Sequence, residues 1–220
     1  DAYKVLENVF GYTEFRSPQD EVVNSLISGQ DVFVLMPTGG GKSLCYQLPA
    51  LIRPGVGVVI SPLIALMQDQ VDALQQLGVH AAFLNSTLSA QDVHLIEHQL
   101  TEGQLDLLYI APERLLQDRT LELLEGVRIA LFAIDEAHRV SQWGHDFRPE
   151  YRLLALLQDR FPKASVHAYT ATATPRVRKD IADQLGLNSP EIIIGSMYRS
   201  NLNYQIHRRS GSTSQNCYTL

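Results

Sequence analysis

An α/β domain built on a mainly parallel sheet, with helices on both faces, is the fold class that the 220-residue sequence predicts. Three observations carry it. Short runs rich in Val and Ile recur along the chain, longer amphipathic stretches separate them, and the chemically suggestive motifs fall directly after the runs. Strand alternating with helix implies parallel strands joined by right-handed crossovers, and in open sheets of this kind ligands bind beyond the carboxyl ends of the strands. The expectation is a single composite site.

Taken in order, the runs at 32–37, 56–62, 105–112, 129–136, 165–172 and 191–195 read as strands buried on both faces, because they are apolar rather than alternating. The segment 81–85 reads as a further strand. A helical pattern covers 62–78 and stops at Gly78; another covers 86–100, with Ser89 as its N-cap. A third follows Ser43. The polar, aperiodic stretch 210–220 reads as a disordered or non-native tail.

The length suits one domain with a large core. No apolar run approaches the roughly 20 residues needed to cross a bilayer, and the first residues resemble no secretory signal, so a cytosolic location is expected. Cys45 and Cys217, the only two cysteines, suggest neither a disulfide framework nor a zinc site; Cys45 reads as a small buried apolar residue. A net charge of -6 argues against a broad basic face. Contact with nucleic acid must therefore be local, through backbone amides and a few Arg and aromatic side chains.

The run from Met36 to Ser43, MPTGGGKS, lies between a predicted strand and a predicted helix. Glycines at 39, 40 and 41 let backbone amides face a phosphate, Lys42 reaches the β and γ phosphates, and the Ser43 hydroxyl can hold magnesium. Met36 stands where the general motif has its first glycine. A second strand ends in DEAH at 135–138. Asp135 can hold magnesium through water and Glu136 can polarise an attacking water, the two roles that nucleoside triphosphate hydrolysis needs. His138 either packs or relays the nucleotide state to its neighbours.

Together with the segments at 10–19, 61–71, 84–87, 109–115, 141–151 and 170–174, these motifs make the chain resemble a superfamily 2 helicase, and within it the RecQ family of DNA helicases, over roughly residues 5–206. The resemblance implies a RecA-like P-loop NTPase domain at 1–206, followed by a polar tail or linker at 207–220. It implies ATP and Mg²⁺ as cofactors, and single-stranded and partially duplex DNA as partners. Thr38 joins the phosphate loop, Gln19 reads the adenine edge, and Tyr12 and Arg16 flank the base. The stretch 141–151 resembles the aromatic-rich loop that couples DNA to hydrolysis, with Gln142, Trp143, His145, Phe147 and Arg148 as DNA contacts. Ser61, Asn85, Ser86 and Thr87 are expected to touch the strand backbone, while Thr170 and Thr172 link the nucleotide site to the DNA side.

Two departures stand out. Arg139 replaces the cysteine usual after DEAH, and Arg199-Ser200-Asn201 replaces the usual Arg-Pro-Asn. An added cation at 139 is expected to lower the basicity of the carboxylates or to compete for the metal, depressing turnover. The resemblance also ends where a second RecA-like domain, source of an arginine finger, would begin. The readings left open are the ATPase lobe of a 3′ to 5′ helicase, a non-catalytic nucleotide and DNA binding module, and a small-molecule kinase.

Overall fold

The computed structural model describes residues 2–144, 146–187 and 189–196. The predicted tail, Cys217, the Arg199–Asn201 segment and His145 lie outside them. The first half of the chain runs α1 (Ala2–Asn8), α2 (Gln19–Ile27), β1 (Val32–Leu35), α3 (Lys42–Ile52), β2 (Val56–Ile60), α4 (Ile64–Gln76), β3 (Ala81–Leu84) and α5 (Ala90–Thr101). Then come β4 (Leu107–Ile110), α6 (Pro112–Leu115), α7 (Asp118–Glu125) and β5 (Ile129–Ile134). A 3₁₀ turn at Ala137–Val140 precedes α8 (Pro149–Arg152), and a second at Leu153–Ala155 leads into α9 (Leu156–Arg160). The described chain closes with β6 (Ser165–Thr170), α10 (Pro175–Leu185) and β7 (Glu191–Ile194).

The strands form one seven-stranded sheet in the order β3-β4-β2-β5-β6-β1-β7, with every pairing parallel. Alternate residues of each strand feed two separate cores. Val32 and Val34 pack with Val22 and Leu26 of α2, Tyr46 of α3 and Val71 of α4, whereas Phe33 and Leu35 share the opposite core with Leu124, Leu157 and Ile181. Helices therefore cover both faces, as expected of strands that are apolar on both sides. The exception is β7: Ile192 and Ile194 are exposed, and only Ile193 is buried. It is an edge strand, so the run at 191–195 is not buried on both faces as its composition suggested.

Local signals hold up well. Ser89 is the N-cap of α5, its side chain accepting from the Asp92 N–H. At α10, Thr174 caps, Pro175 opens the first turn and Gly186 closes the helix in the left-handed region, the Pro-before, Gly-after asymmetry of a well-bounded helix. Cys45 is buried, and burial pushes its thiol up to about 12. Among the described residues no helix is long and apolar enough to cross a membrane.

The sheet order positions the site. β6 lies between β1 and β5, so the carboxyl ends of these strands, Leu35, Thr170 and Ile134, stand side by side. Met36 N–H donates to the Thr170 carbonyl at 3.1 Å and Asp135 N–H to the Ile60 carbonyl at 2.9 Å, so both motifs start from ladder hydrogen bonds. Cavities of about 990, 620 and 610 Å³ lie elsewhere, along β3 or at the amino-terminal ends of the strands.

Candidate nucleotide site and nucleic-acid interface

Each glycine of the phosphate loop answers a geometric demand. Gly39 and Gly41 have φ of 78° and 82°, in the left-handed region that side chains rarely adopt. A Cβ on Gly40 would lie 2.9 Å from the Pro37 carbonyl oxygen, and one on Gly41 would collide with the Gln19 amide. The loop ends at Gly41, the N-cap of α3, where no side chain satisfies the first helical N–H groups. That leaves the positive end of the helix facing outward, a ready phosphate site. Lys42 Nζ donates to the carbonyls of Met36 at 3.0 Å and Pro37 at 3.2 Å, which holds the ammonium over the loop. Thr38 is exposed at its crest, and Lys42 and Ser43 are half-buried.

Gln19 is buried against this loop. Its Oε1 accepts from the Arg16 N–H at 2.8 Å and its Nε2 donates to the Gly41 carbonyl at 3.2 Å. An amide has two donors and two acceptor lone pairs, so one of each remains for a base edge. Tyr12 and Arg16 are exposed beside it.

Across the Thr170 strand end lies the carboxylate pair. Asp135 Oδ1 accepts from the Glu136 N–H at 2.9 Å. Burial, then the neighbouring Glu136 charge, pushes the Asp135 carboxyl up to about 6. Glu136 stands at φ 50°, a left-handed conformation costly for a non-glycine residue and characteristic of functional sites. Its carboxylate lies 3.2 Å from His138 Nδ1, and this hydrogen bond holds its pKa below the usual value. His138 Nδ1 is also 3.1 Å from Thr170 Oγ1. Because the Thr170 hydroxyl donates to the Thr172 carbonyl at 3.2 Å, it accepts from His138, so Nδ1 carries the proton. A continuous chain runs Glu136, His138, Thr170, Thr172.

A divalent cation fits here. Asp135 is a desolvated carboxylate and Ser43, in the first turn of α3, offers a hydroxyl beside the phosphate loop; among the described residues no group of three or more His, Cys, Asp or Glu is placed to hold a metal. Such an ion would arrive with phosphates and water completing its shell, the usual habit of magnesium.

The aromatic loop docks onto this chain. A Cβ on Gly144 would collide with the His138 carbonyl oxygen, so only glycine lets the loop lie this close. Arg139, expected beside the carboxylates, instead turns its buried guanidinium to an ion pair with Asp146 of the loop. It is the smallest of the influences on Glu136 and is not among those on Asp135. Arg139 thus ties the DEAH turn to the loop, and its charge still contributes to lowering the Glu136 pKa, the first of the two effects expected of it. Gln142, Trp143 and Phe147 are exposed; Arg148 is half-buried, 3.6 Å from Glu113. Ser86 and Thr87 are exposed as a DNA contact requires, but Ser61 and Asn85 are buried. Ser61 Oγ accepts from the Leu63 N–H at 3.5 Å, and Asn85 Oδ1 accepts from the N–H and hydroxyl of Thr87 at 2.9 and 2.7 Å. In this structure their side chains shape loops rather than face a ligand.

Sequence reasoning missed the second layer. Tyr46, hydrogen-bonded to Ser43, and Tyr109 lie behind the site, and the Tyr151 hydroxyl donates to the Asp135 carbonyl at 3.4 Å. Burial raises all three phenols, which stay neutral. Tyr109 and Tyr151 fall at the ends of segments 109–115 and 141–151 that carry the family resemblance, but their apolar surroundings read as core and gave no role to them or to Tyr46.

The sequence pattern of the DEAD/DEAH box helicase family matches residues 16–181. Over 208 residues the chain is 47% identical to the ATP-dependent DNA helicase RecQ of Haemophilus influenzae, covering 94% of this chain and 34% of that protein. With the ATP-dependent DNA helicase RecQ of Bacillus subtilis it shares 46% identity over 207 residues, 93% of this chain and 35% of the relative. The chain thus spans 34% to 35% of the length of these relatives. A hypothetical ATP-dependent RNA helicase from Sulfolobus tokodaii shares the fold, with a TM-score of 0.65 at 18% identity over 88% of this chain and 56% of that one. Because the matched residues include those gathered at the carboxyl ends of the central strands, the agreement extends from sequence to site: the chain belongs to the DEAD/DEAH box helicase family.

Proposed function

We propose that this chain is the ATP-binding lobe of a RecQ-like 3′ to 5′ DNA helicase, coupling ATP hydrolysis to movement on single-stranded DNA and to duplex unwinding. The observation that carries the reading is the hydrogen-bonded chain from Glu136 through His138 to Thr170, with the aromatic loop seated on the His138 carbonyl. The groups that would act on water and the loop that would sense DNA are thus linked through one residue, His138.

In this reading the α3 amino terminus and Lys42 bind the β and γ phosphates, and Gln19 selects adenine through its unused donor and acceptor. Ser43 and Asp135 would hold a magnesium ion, whose contribution when bound is to neutralise charge developing on the phosphates. Glu136 accepts a proton from the attacking water. The His138 Nδ1–H orients the Glu136 carboxylate, so a shift at Thr170 or in the loop moves the base. DNA bases stack on Trp143 and Phe147, a mode that tolerates any sequence and suits an acidic chain.

The groups that would bind phosphate lie at the carboxyl ends of the central strands. A partner carrying the opposite wall, a second RecA-like domain with an arginine finger, would complete the site. A non-catalytic nucleotide and DNA binding role for the lone chain draws support from the same geometry. The deciding assay is ATP turnover with and without single-stranded DNA, with Lys42→Ala as the blank. DNA-stimulated turnover is expected once the second lobe is supplied; nucleotide binding with no turnover even then sinks the helicase reading in favour of the binding module.

A further inference from the structure

Trp143, the chain's single tryptophan, is 53% exposed, yet one of its faces is taken. The Arg176 guanidinium carbon lies 3.7 Å from the centre of the indole, the spacing of stacked planes, so nothing can enter between them. Arg176 is in the first turn of α10, is exposed, and among the described residues has no carboxylate partner. One turn further along the same face, Asp180 accepts from the Ser141 hydroxyl at 2.5 Å, and Ser141 Oγ in turn accepts from the Trp143 N–H at 3.2 Å. Ring and backbone of Trp143 are therefore both held by α10. That helix follows directly on the 170–174 segment, whose Thr170 accepts from His138.

We propose that Arg176 is a positioning residue of the nucleic-acid interface: it grips the Trp143 indole by one face and presents the other as a platform for a single-stranded base. The proposal rests on the reading of the aromatic loop as a DNA contact. It adds a residue outside that loop and gives α10 a task, since a base pressing on the platform loads a helix whose amino end adjoins the Thr170–His138 contact. An exposed guanidinium with no ion pair contributes little to folding, which leaves the orientation of the ring as its consequence.

The lone tryptophan makes the test specific. Titrating the chain with a short oligothymidylate and following Trp143 emission, Arg176→Ala is expected to weaken binding roughly two- to fivefold, the equilibrium worth of an exposed cation–π contact. It should also lower the maximal quench and, without DNA, the anisotropy of Trp143. Arg176→Lys, which keeps the charge but not the planar stack, should fall between. The dependence of affinity on salt should be the same in wild type and Arg176→Ala. A salt slope reduced by about 0.7 would instead identify Arg176 as a direct phosphate contact and overturn the platform role. Unchanged affinity and quench would overturn it as well. If oligothymidylate leaves wild-type Trp143 emission untouched while nucleotide still binds, the DNA reading of the loop itself fails and the proposal with it.

Discussion

Glu136 and Asp135 are adjacent in sequence but differ in environment, and the difference sets their roles. Glu136 is held ionised by the His138 hydrogen bond, as a base should be, whereas Asp135 is desolvated and protonates with a pKa of about 6. Glu136→Gln keeps the shape but not the base, and is expected to lower DNA-stimulated turnover by about 10²- to 10⁴-fold while leaving ATP affinity within a few-fold, as read by turnover and equilibrium binding. Protons should compete with the metal at Asp135. Between pH 7 and pH 5 the magnesium-dependent part of nucleotide affinity should weaken, approaching tenfold per unit below about 6, and Asp135→Asn should abolish that dependence. A flat profile in the wild type would exclude Asp135 as the metal's ligand.

Elements matter where two of them meet. The aromatic loop reaches the DEAH turn only because Gly144 lacks a Cβ, and Arg139 and Asp146 tie the same two segments a few residues away. Gly144→Ala should unseat the loop from His138. Its expected signature is retained nucleotide binding with DNA stimulation reduced up to about 10²-fold, the scale on which small misplacements of catalytic groups act. β6 offers a separate test. His167 is fully buried, its Nε2 bonded to Ser165 Oγ at 2.8 Å, and burial, aided by Arg53, lowers its pKa from 6.5 to about 3. The unfolded chain takes up a proton below pH 6.5 that the folded one refuses, so stability falls as pH drops from 6.5 towards 3. Between pH 7 and pH 5 this costs about 2 kcal/mol, measurable by urea unfolding, and His167→Gln should flatten that slope whatever it does to the neutral baseline.

At the scale of the whole molecule, the phosphate loop, Asp135 and Glu136 line the carboxyl ends of neighbouring strands, and cavities of about 990, 620 and 610 Å³ lie away from them. The chain alone is expected to bind ATP weakly, to turn it over slowly and to separate no strands; supplying an arginine finger should raise turnover by about 10³- to 10⁵-fold. Strand separation by the chain alone, in a fluorescent fork assay, would contradict this. The site's ingredients were legible because each is contiguous, glycines before Lys42 and DEAH after a strand, as was the Ser89 cap of α5 elsewhere. Such signals depend on neighbours in the chain, where local conformation is decided. The meeting of these strand ends at Thr170 was expected only from the family resemblance; the residues themselves do not give the strand order. β6 enters the sheet between β1 and β5, so Thr170 stands between Lys42 and Glu136, and no pattern in either segment encodes that order. The same holds for side chains whose partners are distant. Arg139 read only as a cation beside the carboxylates because sequence distance was the only distance available, and its pairing with Asp146 was not visible; Asn85 and Ser61 read as contacts to the DNA backbone, but their side chains are buried; β7 read as buried on both faces but exposes Ile192 and Ile194. The sequence by itself determined the strands, the phosphate loop, the carboxylate pair and the family. Tertiary structure alone decided the route from Glu136 to Trp143, because hydrogen bonds and stacking act over a few ångströms, and only the packed sheet brings those residues within reach.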